Sequence, residues 1–309
     1  MPELSVQKCV VIQAALDRVY ASVRSFRDWI FWCPWLAIQP DCERHFLADH
    51  SGFAWEGAVA GEGRIEVLEE DGPRSLRLKL SRLKPWKWQG ELGFKFRDLG
   101  AGRGVELTWS LEGALPLGRL READEAAALL GSEAGLGLAL LQGTLSAGGA
   151  PCKLESPGRV LFPGGRFLGV RGPSGNVQDT EAISAAFGNL AAWMGEHKIA
   201  ALGPRTFFCP GWDVGKGPHE VIAAVQVGKG REKAKGRLPS DFVVFDVPGG
   251  KAELVRLTGP PEYVLLAWAA ARARVDAYGF ERWKSADPFV VCEKGHSGAG
   301  SLAVYLPVK

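Results

Sequence analysis

The chain has 309 residues, of which 46% are hydrophobic and 23% charged, proportions that are ordinary for a soluble globular protein. This length favours two domains over one, because single hydrophobic cores stop growing at about 250–300 residues. A formal net charge of +2 produces no overall field that would attract nucleic acid or an anionic membrane, so we expect neither as a partner.

The cysteines and the apolar runs argue against several special classes. The six cysteines are far apart and form no CxxC pair, so we expect no zinc site and no disulfide framework. The His-Glu of PHEVIAA has no second His at the zincin spacing, and no glycine-rich segment matches a phosphate or dinucleotide fingerprint, so we expect no metal and no cofactor. The first residues, MPELSVQKCVVIQ, lack the apolar run and cleavage site of a signal peptide. The longest apolar run, VLLAWAAA at 264–271, is too short to span a bilayer. We therefore expect a cytoplasmic protein.

The first part of the chain predicts strands around a long helix. Residues 4–13 alternate as a strand does, and Asp17 with the apolar positions after it predicts short capped helices. Residues 120–145 predict a long apolar helix that several glycines weaken. Glycine-punctuated segments predict an antiparallel meander with one solvent-facing side at residues 52–70, 74–83, 87–100 and 104–113.

This order resembles the START-like, polyketide-cyclase-type family of hydrophobic-ligand domains (SRPBCC). The resemblance is carried by VIQAALDRVYASVRSFRDW, by the W-x-G and GEG of Trp55–Gly63, and by LTWSLEG at 107–113. It implies a curved antiparallel sheet that grips a long C-terminal helix, with an apolar cavity between them. The predicted cavity-lining residues, for most of which packing in a core is the stronger explanation, are Trp35, Phe53, Trp55, Trp86, Trp88 and Trp109.

Residues 149–158 are rich in Gly, Pro and Ser and predict a linker between domains at 1–148 and 159–309. Beyond it, PGGRFLGVR at 163–171 returns as PGGKAELVR at 248–256. Each copy precedes a helical pattern and then two strands. The sequence therefore predicts a duplicated strand–helix–strand–strand domain, with a groove where its halves meet, in a protein of the α+β class.

The strands after the helices carry the candidate site. FERWKSADP, at 280–288, is predicted as a strand, and its alternation would put Glu281 and Trp283 on one face. Such a pair is either an exposed surface feature or the floor of a pocket for an aromatic or cationic guest. The matching segment of the first copy, RTFFCPGW, offers Phe207, Phe208 and Trp212 as an opposite wall.

The duplicated part resembles the GyrI-like family of small-molecule-binding domains, which also forms the effector-binding part of bacterial transcription activators. The resemblance is carried by PGGKAELVRLTGPPEYVLLAW, FERWKSADP and the terminal AVYLPV. It implies that a glutamate on the strand after the second helix faces an aromatic-lined groove, and Glu281 falls at that position, beside Trp283. From the second helix, Tyr263 and Trp268 are further ligand-binding candidates.

Three functions follow from these resemblances. The first is a protein that senses or sequesters a hydrophobic aromatic compound, with or without a positive charge, in a groove centred on Glu281. The second is a hydrolase that opens cyclopropane-type electrophilic natural products, with Glu281 as general base and Tyr263 as a proton donor. The third is an inhibitor of a partner protein. No helix-turn-helix segment is evident, so we expect no direct binding to nucleic acid.

Overall fold

The chain divides into two compact units, Met1–Pro151 and Cys152–Lys309, which we call the first and the second unit. The structure is a computed structural model of the protein. It describes residues 3–84, 87–114, 123–172, 176–212, 220–228, 238–293 and 300–309.

In the first unit the described residues form an antiparallel sheet of seven strands in the order β1-β7-β6-β5-β4-β3-β2, as the predicted meander requires. Its elements are β1 (Glu3–Ile12), α1 (Leu16–Arg24), α2 (Trp29–Trp32), α3 (Pro34–Ala37), β2 (Glu43–Phe46), β3 (Gly52–Gly57), β4 (Gly61–Asp71), β5 (Ser75–Lys84), β6 (Trp88–Asp98), β7 (Val105–Ala114) and α4 (Ala123–Ala147).

Helix α4 lies against this sheet and contacts β1, β7 and the short helices. Alternate side chains of β5, among them Leu78 and Leu80, are fully buried, as are Leu140 and Leu141 of α4. Residues 126–147 are apolar and long enough to cross a membrane by length and composition alone, a test that core helices of soluble proteins also meet. The burial of its leucines within the unit fits the predicted core helix.

In the second unit the described residues form an antiparallel sheet of eight strands in the order β12-β9-β11-β10-β14-β15-β13-β8. The predicted duplication is confirmed: β9-α5-β10-β11 repeats as β13-α6-β14-β15, and the two halves meet where β10 pairs with β14. The elements are β8 (Lys153–Phe162), β9 (Gly165–Arg171), α5 (Thr180–Glu196), β10 (Thr206–Phe208), β11 (Ile222–Gln226), β12 (Phe242–Val247), β13 (Gly250–Thr258), α6 (Val264–Ala277), β14 (Phe289–Glu293) and β15 (Ser301–Val308).

The linker prediction is wrong for residues 153–158, because they belong to strand β8. This strand lies at the edge of the sheet and pairs with β13. Turn-forming Pro157 and Gly158 are tolerated there, since an edge strand has one side without ladder hydrogen bonds. Gly158 takes a φ of 88°, and the pairing shifts register opposite it, between Leu254 and Arg256.

The strand prediction for residues 280–288 is also wrong. Within this segment Arg282 makes one isolated bridge to Val308, and a turn follows in which the Ala286 amide donates to the Trp283 carbonyl at 3.1 Å. Strand β14 begins after Pro288. The alternation of polar and apolar residues that predicted the strand therefore belongs to a turn that leads into it.

The two Pro-Gly-Gly segments mark the point where paired strands pass between the halves. Strand β8 pairs with β13, and β9 pairs with β12, so Pro163–Gly164 and Pro248–Gly249 lie opposite each other. A Cβ on Gly164 would lie 2.4 Å from the Gly249 nitrogen, and Gly164 has a φ of 66°. Both the close approach and the left-handed backbone require glycine there.

We expect Gly164→Ala to lower the free energy of unfolding by about 2–4 kcal/mol, because the added methyl group meets backbone atoms in a left-handed conformation. Gly188→Ala is the matched control. Gly188 lies in α5 with no atom within 4 Å of an added Cβ, so we expect a gain of about 0.5–1 kcal/mol. Urea unfolding measures both changes, and a Gly164→Ala variant as stable as the parent would contradict this account of the crossing.

Candidate functional site

Helices cover one face of the sheet in the second unit. Helix α5 packs on β9 and β11, and α6 packs on β13 and β15. An ion pair between Glu253 of β13 and Arg274 of α6 identifies the covered face. Since successive side chains of a strand point to opposite faces, Ala252, Leu254 and Arg256 lie on the other face.

We call that other face the helix-free face. It carries a cluster of apolar side chains, most of them aromatic. Phe289 and Tyr305 stack with ring centroids 4.7 Å apart, and Phe208 lies 5.3 Å from Phe289. Phe208 and Phe289 are buried, whereas other rings of the cluster are partly exposed. The cluster consists of Phe162, Phe208, Ile222, Ala224, Ala252 and Phe289, with Phe167, Val243, Phe245, Val247, Trp283, Val291 and Tyr305 packed against them.

Trp283 reaches this face although its segment is not a strand. Its amide donates to the Pro307 carbonyl at 3.0 Å, which anchors the turn to the end of β15. Its ring lies over Gly250, where a Cβ would approach within 2.3 Å of the indole. The second glycine of the repeated Pro-Gly-Gly motif therefore makes room for the tryptophan.

The ligand-binding residues predicted from the sequence are divided between the two faces. Phe208 and Trp283 lie on the helix-free face. Phe207, the neighbour of Phe208 in β10, points to the covered face because alternation forces it there. Trp212 stacks on the buried Trp268 of α6 with centroids 4.5 Å apart, so this pair also lies on the covered side. The structure does not bring these side chains into one site.

The two residues predicted to be catalytic are in unsuitable surroundings. Glu281 is on the surface, with 69% of its side chain exposed, and forms an ion pair with Lys309. Tyr263 lies in the turn before α6, where it is buried. Burial raises the pKa of its phenol, and the negative charge of the nearby Glu262 raises it further. A carboxylate that is so well hydrated lacks the desolvation that would make it a strong general base.

The carboxylate on the helix-free face is Glu293, at the end of β14. Its oxygens accept hydrogen bonds from Nε of Arg256 at 3.1 and 3.3 Å, and Oε2 accepts a further one from Ser301 at 3.3 Å. The sequence signal was present, because Phe289, Val291 and Glu293 alternate in FVVCE. Because the predicted strand lies several residues too early, Glu293 is absent from the predicted site.

Tyr305 connects the aromatic cluster to this ion pair. Burial raises the pKa of its phenol, the negative charge of Glu293 raises it further, and the positive charge of Arg256 opposes both. The Phe289–Tyr305 stack and the Arg256–Glu293 pair are therefore electrostatic neighbours on one surface.

A small cleft lies elsewhere in the second unit, between α5 and β11. It has no interior space that would hold even a water molecule, whereas ordinary ligand pockets enclose roughly 300–1,000 Å³. It contains no titratable side chain and none of the predicted site residues. Its lining consists of Gly172, Asn176, Ala182, Ile183, Ala186, Val221 and Ala223.

In the first unit, the predicted cavity residues pack on one another. Trp35 lies 6.3 Å from Trp55 and 6.0 Å from Trp109, and Phe53 lies 5.8 Å from Trp55, all between ring centroids. These four residues and Trp88 are buried. The prediction for Trp86 falls outside the described residues. The contacts are those of a core, and a ligand role for these residues stays a prediction.

Over the part of the chain that the structure describes, no group of three or more His, Cys, Asp and Glu residues is placed to hold a metal ion. The described cysteines are free thiols, and burial raises the pKa of Cys33 well above its usual value, which makes this thiol a poor nucleophile.

No family model matches the chain, and no match was found among curated proteins. Among solved structures, DynU16, a protein in the dynemicin biosynthetic locus, is 16% identical with a TM-score of 0.37 and covers 99% of this chain and 87% of its own. MLL2253 from Mesorhizobium loti is 14% identical (TM-score 0.35; 46% of this chain, 97% of its own). CalU16 from Micromonospora echinospora is 13% identical with a TM-score of 0.33, and the match covers 46% of this chain and 73% of CalU16.

We expect the pKa of Tyr305 to move in opposite directions in two variants. Glu293→Gln lowers it by removing a negative charge, and Arg256→Met raises it by removing a positive one. Ultraviolet titration of each protein against its Tyr305→Phe counterpart isolates this phenol among the four tyrosines. If the pKa of Tyr305 moved in the same direction in both variants, or in neither, Glu293 and Arg256 would not be its charged neighbours as described.

The same raised pKa links stability to pH. Folding favours the protonated phenol of Tyr305, so its contribution is complete below the unfolded pKa of about 10 and is lost as the pH rises through the higher folded value. The parent protein should accordingly lose more stability in this alkaline range than the Tyr305→Phe variant does.

Proposed function

We propose that the second unit binds a hydrophobic aromatic small molecule on its helix-free face, for sensing or sequestration. The observation that carries the proposal is the cluster of aromatic rings on that face, in which Phe167, Phe245, Trp283 and Tyr305 remain partly exposed. Phe167 and Phe245 stack at 5.9 Å, so they form a second aromatic platform beside the Phe289–Tyr305 stack.

Apolar area and ring geometry both favour binding of an aromatic compound on this face. Covering apolar surface contributes about 25 cal/mol per Å², and each well-placed ring pair adds roughly 0.5–1.5 kcal/mol. Contiguous aromatic surface of this kind is uncommon on a protein face that has no partner. Phe208 packs between the two ring pairs, so a flat guest that lies on these rings covers apolar surface and stacks on an aromatic ring at the same time.

We also propose, from the sequence motifs, that the second unit is a GyrI-like domain and the first a START-like domain with a hydrophobic ligand of its own. A cytoplasmic location, the absence of direct nucleic-acid binding, and a partner protein that receives the signal belong to the same proposal.

The surroundings of the two candidate carboxylates do not favour a hydrolase. Glu281 is exposed and paired with Lys309, and Glu293 already accepts hydrogen bonds from Arg256 and Ser301. Neither carboxylate is a desolvated, unpaired base that would activate water. Sensing and sequestration require only reversible binding, which the rings supply.

We expect the full chain to bind 2-naphthylmethanol, a neutral aromatic probe, in isothermal titration calorimetry. Phe245→Leu and Trp283→Leu remove partly exposed rings from the face while keeping apolar volume, and each should weaken binding about three- to tenfold.

The matched control is Trp212→Leu, which removes an indole from the covered side and should leave the affinity within about twofold. Absence of binding, or weakening by Trp212→Leu alone, would contradict the proposal. Near-ultraviolet circular dichroism of each variant verifies that the remaining aromatic packing is retained.

A further inference from the structure

The helix-free face contains a half-buried ion pair between Arg256 and Glu293. Their side chains are 35% and 30% exposed, and they lie on β13 and β14 with β15 between them. Arg256 is paired in register with Ala303, two residues from Tyr305. Diagonal neighbours in adjacent strands lie about 7–8 Å apart, within reach of an arginine side chain.

The hydrogen bonds of this pair are distributed unevenly. Arg256 uses Nε to bond Glu293, whereas within the described residues its two terminal nitrogens make no hydrogen bond. Those nitrogens carry four of the five guanidinium N–H donors. Glu293, in contrast, accepts bonds from both Arg256 and Ser301. The polar end of the face therefore offers donors to a guest, while its carboxylate is already engaged.

The other repeat provides a comparison within the same sheet. Arg171 ends PGGRFLGVR as Arg256 ends PGGKAELVR, and alternation places it on the same face. Its terminal nitrogen NH1, however, already bonds both oxygens of Glu220. At the duplicated position, the guanidinium end of Arg171 is therefore already hydrogen-bonded, whereas within the described residues that of Arg256 is available to a guest.

Resting on the function proposed above, we propose that Arg256 selects an aromatic guest that carries a carboxylate. The ring of the guest lies on the Phe289–Tyr305 stack, and its carboxylate accepts hydrogen bonds from the terminal nitrogens of Arg256. An arginine fork matches the two oxygens of a carboxylate, and partial burial strengthens the contact. A cationic guest is disfavoured, because Glu293 would have to exchange an existing partner for it.

The test compares three naphthalene probes that differ only in charge, with the full chain at neutral pH and low salt. They are 2-naphthoate, 2-naphthylmethanol and 2-naphthylmethylammonium. We expect 2-naphthoate to bind at least about fivefold more tightly than the alcohol, and the ammonium compound to bind no better than the alcohol. Tighter binding of the ammonium compound, or equal affinities for the acid and the alcohol, would overturn the inference.

Variants assign the preference to one residue. Arg256→Gln should abolish the preference for the acid, with a much smaller loss of affinity for the alcohol than for the acid, whereas Arg171→Gln, the matched control, should preserve the preference. Arg256→Lys keeps the charge without the fork and should retain part of the preference. Glu293→Gln should tighten binding of the acid, and weaker binding of the acid in that variant would count against the proposal.

The outcomes separate this inference from the proposed function. The loss of alcohol affinity in Phe245→Leu and Trp283→Leu reports on the aromatic face, and the ratio of acid to alcohol affinity reports on Arg256. Alcohol binding that the Trp283→Leu substitution weakens, combined with a ratio of one, would keep the aromatic site and reject the acid. Failure of all three probes to bind would reject both.

Discussion

In a β-strand, neighbouring side chains must point to opposite faces, and among the described residues of the second unit helices cover one face of the sheet and not the other. This constraint decides which residues can act together. Phe207 and Phe208 are adjacent in the chain, yet Phe207 packs under the helices and Phe208 joins the cluster on the helix-free face. The Arg274–Glu253 pair under α6 and the Arg256–Glu293 pair on the other face are separated in the same way.

The sequence predicted the architecture well because repeats and hydrophobic periodicity can be recognised from the order of residues alone. Strands β1 and β3 to β7 of the first unit, the long helix α4 and the duplicated Pro-Gly-Gly motif could be recognised without coordinates, whereas the short strand β2 was not predicted. Edge strand β8 could not, because Pro157 and Gly158 have the composition of a linker and only their place at the sheet edge makes them acceptable. Strand β12, which precedes the second motif, was missed altogether.

The candidate site was predicted less well because it depends on strand bounds. Placing a strand at 280–288 aligned Glu281 with Trp283 and put the groove carboxylate in the wrong place. The strand begins at Phe289, so the carboxylate that shares a face with the rings is Glu293. Trp283 reaches that face through a turn held at Pro307 and through the space above Gly250, neither of which residue spacing reveals.

The most direct test of the account is a crystal structure of the protein with 2-naphthoate. We predict the naphthalene ring on the Phe289–Tyr305 stack, with a carboxylate oxygen within hydrogen-bonding distance of a terminal nitrogen of Arg256. A naphthalene ring found under the helices beside Trp212 and Trp268, or among the tryptophans of the first unit, with the helix-free face empty, would contradict it.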